Sequence, residues 1–171
     1  MLVPDTFEEV HDVMAAMKDE YPEPFPYTSR SLEKLMEVSY ALSVPYEMFY
    51  DPAYEGGKWI YGAAHDEFYA TLEWLSRLYE GGILDPDFAN NSTAQFQERL
   101  GSGRAFFYFD NASFAFNMNE VIERSEGVTN AYSIIPTLEN YDGRRRNRVY
   151  KPHGLDSGSV ISSKVDQPER V

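Results

Sequence analysis

Residues 66–88, DEFYATLEWLSRLYEGGILDPDF, constrain the fold more tightly than any other stretch of the chain. Phe68, Leu72, Leu75 and Leu78/Tyr79 recur at three- and four-residue spacing, so coiling into a helix lines them up as one apolar stripe. Asp66 and Glu67 put negative charge in the first turn, where the helix dipole favours it, and Glu73 and Arg77 stand at i,i+4. Gly81-Gly82 can reach the positive φ that closes a helix. Asp85-Pro86-Asp87 then turns the chain, because Asp bonds its own backbone and Pro holds φ. A core helix with a defined exit results, and it requires other elements to cover its stripe.

Those elements are legible on both sides. Thr6-Phe7-Glu8-Glu9 is a capping-box pattern and predicts a helix from about Phe7 to Glu20, with Phe7, Val10, Val13/Met14 and Met17 inward. Pro22, Pro24 and Pro26 end it and force an extended path into a short strand at Phe25, Tyr27 and Thr28. Ser31 caps a second helix from Leu32 to about Leu42, with Leu35, Met36 and Val38/Ser39 inward. Between Glu47 and Ala63 the pattern has period two, so Met48-Phe49-Tyr50 and Lys58-Trp59-Ile60-Tyr61 read as a β-hairpin or a pair of short strands. After Asp87 a short helix over 93–100, capped by Ser92 or Thr93, stops at Gly101-Ser102-Gly103. The run RAFFYF at 104–109 predicts a strand covered on both faces, as in a parallel sheet. Asp110-Asn111 ends it, and a helix from about Ser113 to Arg124 follows with Phe114, Phe116/Asn117 and Val121 inward. Further strands are expected at 131–135, 148–151 and 159–162. Asp166-Gln167-Pro168-Glu169 is a helix start two residues from Val171, so residues 1–171 are expected to be a single α/β unit, a fragment or an excised domain of a longer protein.

Composition then narrows the functions available. A net charge of −13 makes phosphate backbones and anionic membranes poor partners, which argues against nucleic acid. The exception, Arg144-Arg145-Arg146-Asn147-Arg148, follows the turn Tyr141-Asp142-Gly143 and reads as a solvated hairpin edge in preference to an anion site. The absence of cysteine removes disulfides, thiolate metal sites and cysteine nucleophiles together. His11, His65 and His153 are scattered without metal-ligand spacing, and no nucleophile elbow or phosphate-binding glycine loop occurs. With 28 acidic residues, some carboxylate pair must fall at glycosidase spacing, so such a pair carries no information. Nothing in the residues argues for catalysis. Aromatics are abundant at 15%, with 13 Tyr, which suits either a Tyr-rich core and rim or grooves that stack on flat ligands.

Four pieces in order now point to a family. They are Val3-Pro4-Asp5-Thr6-Phe7-Glu8-Glu9, then Lys58-Trp59-Ile60-Tyr61 ahead of the helix ending Leu78-Tyr79-Glu80-Gly81-Gly82-Ile83-Leu84-Asp85-Pro86-Asp87-Phe88, then Gly101-Ser102-Gly103-Arg104-Ala105, then Val160-Ile161-Ser162-Ser163-Lys164 with Pro168-Glu169-Arg170. Together they resemble the C-terminal lobe of the extracellular solute-binding proteins of bacterial ABC importers, nearest to the family 1, oligosaccharide-binding lipoproteins. The most specific piece is Leu-Tyr-x-Gly-Gly-Ile-Leu-Asp-Pro-Asp. The resemblance implies one lobe of a type II periplasmic-binding-protein fold, an α/β lobe with a central mixed sheet flanked by helices. It implies an oligosaccharide ligand, no catalysis, no cofactor, a missing N-terminal lobe of the same protein and ABC permease subunits as partners. It also implies a place at the extracellular face of the membrane or in the periplasm for the full-length protein.

In the related maltodextrin binders, the strand after the Gly-rich turn ends in a polar residue, and an aromatic shortly after it stacks on the sugar. The matching positions are Asp110, Asn111, Ser113 and Phe114, with Phe where the family favours Trp. Trp59 and Tyr61 are further ligand-binding candidates, with packing on the helix after them as the alternative. Asp110-Asn111 also reads as a turn with a helix cap, and Phe114 as core. His153 and Asp156, beside Gly154 and Gly158, lie in a loop that could face the cleft. Some members carry a calcium loop after the first helix; residues 17–27 have prolines in its place, so no metal site is expected. The competing readings are a glycoside hydrolase-associated domain and a non-catalytic protein-interaction domain.

Overall fold

The first helix, α1, spans Phe7–Glu20, with the Thr6 side chain accepting from the Glu9 amide at 3.1 Å and Glu9 accepting from the Asp5 amide at 2.6 Å. This computed structural model describes residues 3–52 and 56–146. The strands expected at 148–151 and 159–162, the helix start at Asp166, and the loop with His153 and Asp156 lie outside the described residues.

The second expected helix divides into α2, Leu32–Met36, and α3, Ser39–Leu42. Tight i,i+3 bonds carry the junction, Val38 N–H to Leu35 O and Tyr40 N–H to Glu37 O, and they keep Leu35, Val38 and Ala41 all buried. The hairpin forms as expected from β1, Met48–Asp51, and β2, Lys58–Tyr61. A single 3-10 turn, Gly62–Ala64, follows. Its Gly62 N–H donates to Glu47 O at 3.0 Å, and a Cβ there would stand 1.5 Å from Pro45 O, so only glycine fits.

The helix α4, Phe68–Glu80, buries Phe68, Thr71, Trp74, Leu75 and Leu78. Leu72 and Tyr79, expected inward, are exposed. At 3.6 residues per turn they lie roughly a quarter-turn from the line through Thr71, Leu75 and Leu78, and the large Trp74 side chain fixes the buried face on the other side. Arg77 pairs with Glu8 of α1 at 2.5 Å instead of with Glu73. The exit is as expected. Gly82 has φ +63, the amides of Ile83 and Leu84 return to Leu78 O, and the Asp87 amide donates to Asp85 Oδ1 at 3.0 Å.

Helix α5, Thr93–Gly101, starts with a full capping box of Ser92 and Gln95. Helix α6, Ala112–Glu126, buries Ala115, Met118 and Ile122. Phe116 and Val121, expected inward, are exposed, because the α5 side of the helix presents small and flexible residues that seat against Phe96 and Leu100.

The architecture is mixed α/β. Between the helices, three extended segments run parallel: Tyr27 bridges Leu84 on one side and Phe107 on the other. Tyr27 N–H donates to Ile83 O and Tyr27 O accepts from the Asp85 N–H, while the amides of Phe106 and Phe107 donate to Pro26 O. The run at 104–109 is therefore a parallel segment, but a single bridge long, and 106–109 are half-buried instead of fully covered. Pro24 and Pro26 lack the amide donors that would extend the ladder. Residues 131–135, expected as a strand, form none. In the described part of the arginine run, Arg145 sits at a hairpin edge: Glu139 bridges Arg145 antiparallel and Thr6 parallel, and Arg145 pairs with Asp5 at 2.5 Å. No helix among the described residues is long and apolar enough to cross a membrane.

One buried carboxylate ties these pieces together. Asp85 is 1% exposed; Oδ2 accepts from Thr28 Oγ1 and Asn91 Nδ2, each at 2.8 Å, and pairs with Arg99 of α5. Asn91 Nδ2 also donates to Ser29 O at 2.9 Å, and Arg99 reaches Asp87 at 2.9 Å. Removing one partner of a buried pair costs about 3–5 kcal/mol. Asp85→Ala should therefore lower unfolding free energy by about that much in urea titration. A loss below about 1 kcal/mol would show the network to be dispensable.

Candidate functional site

A chain of aromatic rings, edge-on at Phe7–Trp74 and Tyr27–Phe107 and tilted at Trp74–Tyr27, leads from the core to a cavity. The Trp74 indole donates to Phe7 O at 3.3 Å, and ring centroids lie 5.4 Å apart for Phe7–Trp74, 6.1 Å for Trp74–Tyr27 and 5.1 Å for Tyr27–Phe107. Phe7 and Phe107 both reach the wall of a cavity of about 360 Å3. Residues 106–109 form one side of it, 132–138 the other, and Asp110, Asn111 and Ala112 stand at the carboxyl end of the parallel segment. That end is where α/β sheets place ligands.

The wall is held by specific bonds. Asn119 of α6 clamps the Tyr132 backbone, donating to its carbonyl at 2.8 Å and accepting from its amide at 2.7 Å. The Tyr132 hydroxyl donates to Ala105 O at 2.8 Å and Leu100 O at 3.0 Å. The Tyr108 ring meets Phe96 edge-on at 5.4 Å and Tyr132 at 5.9 Å. Its hydroxyl is buried with no hydrogen-bond partner among the described residues.

Asp110 has a side chain 2% exposed and receives a two-pronged bond from Arg30, Nε to Oδ2 at 2.5 Å and Nη2 to Oδ1 at 3.2 Å. This bond raises the Arg30 pKa above its already high ordinary value. The Asn111 amide donates to Asp110 Oδ1 at 2.7 Å, and Asn111 occupies the N-cap of α6 without using its side chain as a cap. The Asn111 side-chain amide makes no capping bond, while its backbone amide and Arg30 pin Asp110.

Asp110 and Asn111 are brought to the cavity together. Ser113, two residues past Asn111 in the start of α6, is exposed and does not line the cavity. Phe114 packs edge-on against Phe96 at 5.6 Å, with the Arg30 guanidinium 5.2 Å from its ring. Trp59 and Tyr61 stand exposed on β2 and do not line the cavity. Sequence reasoning missed Arg30, the aromatic wall at 106–109 and the lining segment 132–138, which adds Tyr132 and otherwise mostly aliphatic residues. The signal for the wall was in RAFFYF, an aromatic run too rich in rings for its own short ladder to cover.

A second, more open cleft of about 760 Å3 runs between α1 and α4, lined by Thr6, Glu8, Glu73, Trp74, Arg77 and Tyr141. Beyond α1, Lys18 Nζ donates to Pro22 O at 2.5 Å and Pro24 O at 3.0 Å, so an ammonium occupies the carbonyls of that proline-rich turn.

No protein-family model matches the chain, and no curated protein matches it in sequence. In structure it is similar to the S. pneumoniae ABC-transporter substrate binding protein FusA in complex with kestose, with a TM-score of 0.61 and 16% identity. It is similar also to an EF-hand mutant of that protein in complex with fructo-nystose, with a TM-score of 0.60 and 16% identity. Each comparison covers 87% of this chain and 30% of the other, so the chain spans about 30% of the length of these neighbours. The likeness shows a shared fold.

Burial raises the pKa of Tyr108 to about 12, helped by the negative charge of Asp110, and burial also pushes up Tyr132 and Tyr27. A raised folded pKa keeps the neutral phenol, so this stability is complete below the ordinary value of about 10 and is lost as pH climbs toward 12. Absorbance titration at alkaline pH should show exposed tyrosines ionising first and these three only with unfolding. Tyr132→Phe should cost about 1–3 kcal/mol and bring that unfolding to lower pH.

Proposed function

We propose that the chain is one lobe of the substrate-binding component of an ABC importer, contributing half of a cleft that closes on a neutral or weakly charged oligosaccharide. The observation that carries this reading is the cavity at the carboxyl end of the 104–109 segment: aromatic on its walls, with Asp110 and Asn111 at its rim. Aromatic faces supply contact area to the apolar faces of a sugar, and a few placed polar groups fix its hydroxyls. Asn111 donates and accepts there. Asp110 accepts on lone pairs left free by Arg30, and the guanidinium fixes its orientation. The unpartnered Tyr108 hydroxyl is a further group for a sugar hydroxyl to satisfy. Ser113 and Phe114, next in the first turn of α6, are proposed as secondary contacts: Ser113 is exposed beside the rim, and Phe114 packs on Phe96 without lining the cavity.

Support for the transport role comes from the fold shared with a sugar-bound substrate-binding protein of an ABC transporter. Under this reading the remaining lobe belongs to the same protein, the permease is the downstream partner, and the site of action is the outer face of the cell membrane or the periplasm. No step of this function requires a cofactor or bond cleavage.

Saturation-transfer NMR with fructo-, malto- and xylo-oligosaccharides provides the test. A half-cleft should bind weakly, near the millimolar range that corresponds to about −4 kcal/mol, and Asn111→Ala with Asp110→Ala should abolish the signal. Low-micromolar binding by this chain alone would contradict the half-cleft reading. Release of reducing ends would instead favour hydrolysis.

A further inference from the structure

The hairpin is built with its aromatic side facing water. Its register sets Met48 opposite Tyr61 and Tyr50 opposite Trp59. Side chains alternate between the faces of a strand, so these four share one face. They are exposed by 55%, 58%, 50% and 65% respectively, while Phe49 and Ile60 on the other face are half-buried. Burial of apolar area would select the opposite orientation for rings this large.

The exposed rings are also held in place. Tyr50 and Trp59 lie 5.5 Å apart at an interplanar angle of 58°. Tyr50 rests on bare backbone: a Cβ on Gly57, whose φ is +69, would stand 1.7 Å from the Tyr50 hydroxyl oxygen and 2.3 Å from its Cζ. The base of the hairpin is pinned by the close approach of Gly62 to Pro45. An organised aromatic surface with an anchored base is a platform ready for a ligand.

We infer that this face, Met48, Tyr50, Trp59 and Tyr61, is a carbohydrate-stacking platform separate from the cavity at Asp110, and that it takes a neutral oligosaccharide. The choice of ligand class rests on the carbohydrate reading above. Ring faces offer apolar contact to the C–H face of a sugar, and the two phenols and the indole N–H serve hydroxyls at its edge. Trp59 and Tyr61, two residues apart on one strand, are separated by about 6.6 Å, so one extended glycan can lie across both. The net charge of −13 disfavours anionic ligands. A protein partner fits poorly, since four side chains fall far short of the roughly 20–30 residues a side of a stable protein interface.

The chain has two tryptophans, Trp59 exposed and Trp74 buried in the core, so acrylamide quenching reports Trp59. The full chain would be titrated with maltoheptaose and a soluble inulin-type fructan, with quenching and saturation-transfer NMR read together. The expected result is at least twofold protection of Trp59 by one of these sugars. Migration through native gels containing the polysaccharide should be retarded for the wild type and at least threefold less so for Trp59→Ala. Gly57→Ala, checked for intact fold by circular dichroism, should reduce retardation by displacing Tyr50. Saturation transfer to the sugar with Trp59 quenching unchanged would overturn the platform while leaving the cavity reading intact. Absence of both signals would overturn both. A dimer in sedimentation that Trp59→Ala abolishes would assign the face to self-association and overturn the proposal.

Discussion

A carboxylate that is 1% exposed must be answered on every side, and the answers given to Asp85 connect segments far apart in the chain. Thr28 comes from the extended segment after the prolines, Asn91 from the turn before α5, and Arg99 from the far end of α5. Asn91 in turn holds Ser29. The ladder that accompanies this network is one bridge long on each side of Tyr27, because the prolines remove donors. The register of the parallel segments is therefore specified less by ladder bonds than by the requirement that a buried charge be paired. Asp85 also starts the turn that follows α4, so the glycine stop, the Asx bond to Asp87 and the buried pair act as one device.

The position of the cavity follows from that register. With 104–107 laid beside Tyr27, the aromatic run has one side against Tyr27, which in turn meets Trp74, and also lines the cavity together with 132–138. Tyr132 is then drawn in by its two carbonyl acceptors and by Asn119. Asp110, arriving at the segment's end, is fixed by Arg30 from the turn before α2. The rim is consequently rigid on the side of Asp110 and Asn111, as a binding surface that must not pay ordering entropy requires. The hairpin stands apart from this arrangement, with its own anchored base and its own exposed rings.

Much of this was readable in the residues, and the parts that were not share a cause. Local signals worked where the physics is local: the Thr6 and Ser92 caps, the Gly82 stop, the Asp85 turn and the existence of the hairpin all depend on neighbours in sequence. The apolar stripes of α4 and α6 were misplaced because tertiary partners chose the buried face. Trp74 outweighed Leu72, and Ala115 and Met118 fitted against α5 where Phe116 did not. The 131–135 segment has strand-like composition, but its bonds go to side chains and to α5. Asp110 and Asn111 were nominated through family resemblance and a position at a strand end, and both line the cavity. Arg30, 80 residues away from its partner, carried no signal that sequence alone could expose.

In the proposed binding mode a sugar lies against the wall formed by 106–111 and 132–138. Backbone amide shifts of the isotope-labelled chain, followed while an oligosaccharide is added to millimolar concentration, test it most directly. The account predicts that the perturbed amides cluster at 106–111 and 132–138, with Asn111 among the largest changes. Shifts confined to the open cleft between α1 and α4, around Glu8, Glu73 and Arg77, would contradict it.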